Sequence, residues 1–104
     1  MSNSTNSLPA DELVSHNVYF DGKVQSLGLD TLAGKATIGV MKKGSYTFAA
    51  SSAEKMIIIS GSMEVKLNHT DFKEYHAKDE FDVAAGTSFD VKCDGDVAYL
   101  CYYG

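Results

Sequence analysis

The sequence predicts a single all-β domain, an antiparallel sandwich or closed barrel of about eight or more short strands. Three observations predict it. Apolar and polar residues alternate over short runs through the middle and end of the chain, the period of a half-buried strand. Gly, Asp or Asn punctuates those runs at intervals of about ten residues, as tight turns require. Pro occurs once, as Pro9, whereas Tyr occurs six times and Phe five, and Val, Ile and Thr are frequent; strands favour such side chains. A chain of 104 residues fits one domain.

In chain order, residues 1–16 read as a flexible Ser/Asn-rich arm, with "PADELV" suited to one helical turn that Pro9 opens. The domain proper then spans 17–104. "NVYFDGKVQSLGL" carries apolar Val18, Phe20, Val24 and Leu27 around an Asp21-Gly22 turn. "GKATIGVM" sets Ala36, Ile38 and Val40 on one face and Lys35, Thr37, Gly39 and Met41 on the other. A turn at Gly44 leads into "SYTF", which pairs Tyr46 with Phe48 and Ser45 with Thr47. "EKMIII" breaks at Ser60-Gly61 and resumes through Met63, Val65 and Leu67. "FKEYHA" is a short strand with Phe72 and Tyr75 as core contacts. "EFDV" and "TSFDVKC" flank a turn at Gly86, and "VAYLCYYG" closes the chain with Tyr99, Cys101 and Tyr103 on one face and Leu100 and Tyr102 on the other.

The formal net charge is −5, and all nine basic residues are Lys. A nucleic-acid surface needs a basic patch, usually with Arg, so that class is excluded. Any anion bound here is held by Lys, hydroxyls or backbone N–H groups, without a bidentate guanidinium. No apolar run is long enough for a membrane helix, and "MSNSTNSLPADELVSHN" lacks the basic and apolar parts of a secretion signal. Cys93 and Cys101 lie in strand-like apolar surroundings and read as buried thiols in a reducing compartment, so cytoplasm is the expected location. Covering the strand edges of so small a domain favours a homodimer.

Three histidines, His16, His69 and His76, are scattered, and none stands two positions from another as paired strand ligands would. Glu54 offers one carboxylate and no converging nitrogen or sulfur donors, so no metal is expected. Glu54 opens an apolar run, either as a cavity-facing acid or as a turn residue. Ser60 and Thr47 are candidate hydroxyl donors, and Tyr46, Phe48 and Tyr102 are candidate ring-stacking residues or plain core.

"YFDGKVQSLGL", "GKATIGVMKKGSYTF", "EKMIIISGSMEVKL", "EFDVAAGTSFDV" and "YLCYY" together resemble, in order and spacing, the pyrimidine/purine nucleoside phosphorylase family of small bacterial cupins, from about Asn17 to Tyr103. The resemblance implies a jelly-roll-like cupin barrel, a homodimer, and broad phosphorolysis of nucleosides with orthophosphate to free base and pentose 1-phosphate. The co-substrate is phosphate, and no metal or organic cofactor is implied. Lys35 is then a phosphate ligand and catalytic cation, with Thr47 and Ser60 as further phosphate donors. Glu54 holds the ribose as the catalytic carboxylate, and Tyr46, Phe48 and Tyr102 flank the base. Lys35 and Tyr102 stand where relatives are expected to carry Arg, and Ala84 where the second cupin motif has Pro. Two readings compete with this one: a metal-dependent cupin enzyme, and a non-catalytic sugar- or nucleotide-binding cupin.

Overall fold

The computed structural model describes residues 14–68 and 70–104. Ten strands follow in order: β1 (His16–Tyr19), β2 (Val24–Thr31), β3 (Gly34–Met41), β4 (Gly44–Ala50), β5 (Glu54–Ser60), β6 (Ser62–Leu67), β7 (Lys73–His76), β8 (Glu80–Val83), β9 (Thr87–Cys93) and β10 (Val97–Tyr103). They form a six-stranded antiparallel sheet ordered β1-β2-β3-β10-β5-β8 and a four-stranded one ordered β4-β9-β6-β7. The two ladders do not join, so the closed barrel among the sequence expectations gives way to a two-sheet sandwich. From β3 onward the chain repeatedly crosses between sheets. The sequence segment "PADELV" and His69 lie wholly or partly outside the described residues.

The core is the inner face of both sheets. Val24, Met41, Ile58, Met63, Val65, Val83, Val91, Val97 and Cys101 are fully buried in it, and their removal from water is the main favourable contribution to folding. Strand alternation selects them. In β5 Met56 and Ile58 turn inward, and in β9 Phe89, Val91 and Cys93 do so. Tyr75 packs against this core, as expected, and its ring meets Phe81 at 4.6 Å. Phe72 does not. Its ring lies instead under the Lys92 ammonium at 4.3 Å, where a cation faces the ring's negative surface.

Backbone conformation fixes two corners. Gly61, between β5 and β6, has φ +87°, and a Cβ there would stand 2.5 Å from the Asp96 carbonyl oxygen. Between β1 and β2 the chain makes a 3-10 turn over Phe20–Gly22, with Phe20 at φ 51° and Asp21 at φ 56°. L-residues seldom adopt such angles; Asp tolerates them better than most, a bulky residue such as Phe poorly. Packing overrides the preference. The Phe20 ring sits 5.0 Å from Tyr46 and 5.4 Å from Phe48, closing one end of the sandwich.

The apolar face that the sequence shows in β3 points away from the core. Leu27, Ile38, Leu100 and Ile57 are successive cross-strand partners, with Leu29 and Ala36 in the next row and Val40 in the row on the other side. The inner face of β3 is Thr37, Gly39 and Met41. Gly39 is there because its neighbour needs the space: the Tyr99 ring lies over it, and an added Cβ would come within 2.4 Å of that ring. Tyr99 is itself buried and has little room to retreat. Gly39→Ala therefore lowers stability by about 1–3 kcal/mol through overpacking, read as an earlier urea midpoint at constant slope. An unshifted midpoint would show that the Tyr99 ring moves freely.

Candidate active site

At the end of the sandwich where β5 begins and β10 ends, the inner faces do not fill the interior. A cavity of about 250 Å³ remains, lined among others by Tyr19, Phe48, Glu54, Tyr99, Cys101 and Tyr103. Its position follows from the ladder. Glu54 and Tyr103 are cross-strand partners, Met56 faces Cys101, and Cys101 faces Thr37 on the other side. The pleat of β10 sends Tyr99, Cys101 and Tyr103 to the cavity side, as the sequence alternation predicts.

Polar groups here are few and interlocked. The Cys101 thiol donates to Glu54 Oε1 at 3.5 Å, and the Thr37 and Tyr103 hydroxyls are 2.9 Å apart. Burial pushes the Glu54 carboxyl above its ordinary value, while the thiol hydrogen bond opposes the shift. Burial also pushes Cys101 up to about 12, with the Glu54 charge adding to the effect, and Tyr99 up to about 12. Tyr103 rises as well, chiefly by burial. The site therefore holds one half-buried acid among neutral donors and aromatic rings. Such an arrangement can orient hydroxyl groups and stack a flat ring, but it presents no thiolate nucleophile.

Two surface depressions share wall residues with this interior. A mouth of about 840 Å³ is lined by Ala53, Glu54, Lys55, Ala84, Tyr102 and Tyr103, among others. A cleft of about 380 Å³ contains Ser15, Asp30, Lys35, Thr37 and Tyr103. Glu54 is common to the interior and the mouth, and Tyr103 to all three spaces.

The sequence candidates divide accordingly. Glu54 and Phe48 line the interior, Tyr102 lines the mouth, and Lys35 lines the cleft, exposed and paired with Asp30 at 3.1 Å. Thr47, Ser60 and Tyr46 lie apart from these three spaces. The alternation that turns Phe48 inward turns Thr47 outward, where it donates to Asp90 at 2.7 Å. Ser60 ends β5 exposed and pairs with Ala98, one strand-length from Glu54. Tyr46 is buried core, its hydroxyl donating to the Lys42 carbonyl at 2.6 Å. Sequence reasoning did not assign Tyr19, Ser26, Tyr99, Cys101 and Tyr103 to the site; the shared face of Tyr99, Cys101 and Tyr103 was the available signal. Among the described residues no three His, Cys, Asp or Glu side chains converge as a metal site would need.

The two-sheet antiparallel sandwich has a cupin-like fold. It is similar in fold to an RmlC-like cupin from Shewanella frigidimarina, with a TM-score of 0.67 at 16% identity, over 97% of this chain and 91% of that one. Similarity at a finer level identifies the kind of cupin. A family model described as pyrimidine/purine nucleoside phosphorylase matches residues 14–103. The chain is 46% identical to a protein of that name from Erwinia tasmaniensis over 87 residues, 82% of this chain and 91% of the relative. It is 38% identical to one from Photobacterium profundum over 92 residues, 88% and 99% of the two chains. A solved structure of a protein of unknown function from Vibrio parahaemolyticus superposes with a TM-score of 0.82 at 34% identity, covering 86% of this chain and 96% of that one. The chain belongs to the pyrimidine/purine nucleoside phosphorylase family.

Cys93 and Cys101 are both free and buried, with Cys93 pushed up to about 11 by burial. Alkylating reagents at mildly alkaline pH should leave both unmodified in the folded protein and label both in urea, as thiol quantitation or mass spectrometry reads. Rapid labelling of Cys101 in the native state would contradict the closed, neutral wall described here.

Proposed function

We propose that the protein is a metal-independent nucleoside phosphorylase of broad specificity, a pentosyltransferase acting on purine and pyrimidine nucleosides. The observation that carries the proposal is Glu54, a half-buried carboxylate shared by an aromatic interior and a wider mouth, in a chain whose named relatives are pyrimidine/purine nucleoside phosphorylases. The interior, about 250 Å³, is smaller than the roughly 300–1,000 Å³ usual for a small-molecule site, whereas the adjoining mouth, about 840 Å³, lies within it. A nucleoside thus straddles the two, its ribose hydroxyls on Glu54 and its base against rings such as Phe48 and Tyr99, with Tyr102 at the rim.

Phosphate approaches from the cleft, where Lys35 supplies a point charge and Tyr103 and Thr37 supply hydroxyls. A hydrogen phosphate oxygen attacks C1′, the C1′–N bond breaks, and its electron pair leaves with the base, which takes up the proton that the phosphate gives up on becoming an ester. The products are free base and pentose 1-phosphate. Positioning and charge stabilisation supply the rate. A cavity with many ring faces and few fixed polar contacts suits loose selectivity between bases. The free buried thiols support a cytoplasmic, reducing location, and no described helix is long and apolar enough to cross a membrane.

The same reading includes a homodimer formed on the outer face of the six-stranded sheet. Leu27, Ile38 and Val40 there are 52%, 47% and 49% exposed and adjoin in register, a contiguous apolar surface of a kind monomers seldom leave open.

Incubation with uridine or adenosine plus orthophosphate should release base and ribose 1-phosphate, undiminished by EDTA. Binding without release would leave a non-catalytic cupin, and loss with EDTA a metal-dependent one. Lys35→Ala should raise the phosphate KM about tenfold, the weight of one charged hydrogen bond, and the nucleoside KM far less. An unchanged phosphate KM removes Lys35 from the site. Light scattering should give twice the chain mass, and Ile38→Glu should halve it by placing a charge on the apolar face; a native monomer refutes the pairing.

A further inference from the structure

We infer that Cys101 is the positioning residue for Glu54: its buried thiol holds the carboxylate at the junction of the interior and the mouth. The inference rests on the phosphorylase reading only for what Glu54 does, and not for how Glu54 is held. Cys101 looks like core filler by composition. It is 1% exposed, and its strand neighbours alternate in and out of a packed interior. A filler would present carbon to the cavity. Here Sγ stands 3.5 Å from Glu54 Oε1 and 3.9 Å from the Tyr102 carbonyl oxygen, while the neighbouring Tyr103 hydroxyl is tied to Thr37 at 2.9 Å. The ladder enforces the placement, because Tyr103 is Glu54's direct cross-strand partner and Cys101 is its diagonal one.

Glu54 needs such a partner. Its carboxyl has lost much of its water, and among the described residues no ion pair reaches it. The titratable groups around it are Cys101, Tyr103 and Tyr99 from β10 and Tyr19 from β1, all neutral when protonated. Lys55, Glu80 and Asp82 pair with one another at the rim. The facing sheet contributes Phe48, Ala49 and Phe89, which carry no charge. A neutral donor orients the carboxylate while leaving its charge available to a ligand. An ammonium there would compete for it. The thiol stays protonated across the neutral range, so it works as a fixed donor and not as a base.

The test compares Cys101→Val, which fills the volume without a donor, with Cys101→Ser, which keeps a donor. Two readouts are used on the full-length protein: the Glu54 carboxyl titration by carbon-13 NMR, assigned with Glu54→Gln, and the kinetics of uridine phosphorolysis. In Cys101→Val the Glu54 midpoint should move further up, since the hydrogen bond that favours its charged form is gone. The acid limb of kcat should move with it, and kcat should fall about tenfold with the phosphate KM little changed. Cys101→Ser should restore the midpoint and most of kcat. Should Cys101→Val not fold, Cys101→Ala takes its place in the same comparison. An unmoved Glu54 midpoint in the donor-less variant, or a Ser variant as impaired as the Val one, overturns the inference. If the wild-type protein releases no base, the phosphorylase reading fails while the NMR titration still decides how Glu54 is held.

Discussion

Register along β10 governs the rest of the molecule. The strand is hydrogen-bonded to β3 on one side and β5 on the other, and its pleat divides the last residues between two environments. Tyr99, Cys101 and Tyr103 face the cavity, whereas Leu100 and Tyr102 face outward. A slip of one residue would exchange the two sets. A bulge between Ala98 and Tyr99 lets Ser60 and Ile58 both find partners, so that one extra β5 residue, Ile59, is absorbed at the far end from Glu54. The irregularity is thereby kept away from the Glu54–Tyr103 pair.

The same ladder brings a carboxylate into apolar surroundings. Burial disfavours the charged Glu54, so its contribution to stability is largest below its ordinary titration range and is lost as pH rises through the raised value. Exposed ammonium groups do not offset this. Lys35, Lys42 and Lys55 pair with carboxylates on the surface, with side chains 45–83% exposed, and such pairs contribute little. The partly buried carboxyl is thus held at a cost to stability that a fully exposed acid would not carry.

Much of this was legible in the sequence. Alternation in "GKATIGVM" and "VAYLCYY" gave the two faces of β3 and β10 correctly, and Gly44, Gly61 and Gly86 lie in or beside the turns expected there. Alternation does not state which face is inside. In β3 the apolar face of Ile38 and Val40 is the outer one, and Thr37 and Gly39 face in, because the inner face must admit the Tyr99 ring and a hydroxyl. Thr47 and Ser60 stand away from the cavity for a related reason. Each carries a suitable hydroxyl, but its direction depends on a pleat and on a distance along β5 that chemistry alone does not reveal. Cys101 was hidden by its own environment, since a thiol among strand residues reads as packing until the Glu54 oxygen is found beside it.

The turn at Phe20 has a mechanical consequence. Two successive non-glycine residues there hold left-handed backbone angles, each at a cost of about 1–3 kcal/mol, maintained by ring contacts with Tyr46 and Phe48. The neighbouring Tyr19 forms part of the cavity wall. Lifting Phe20 off its ring partners forfeits packing but lets the backbone relax, and the two effects oppose one another. Opening that corner therefore costs less than the aromatic contacts alone suggest.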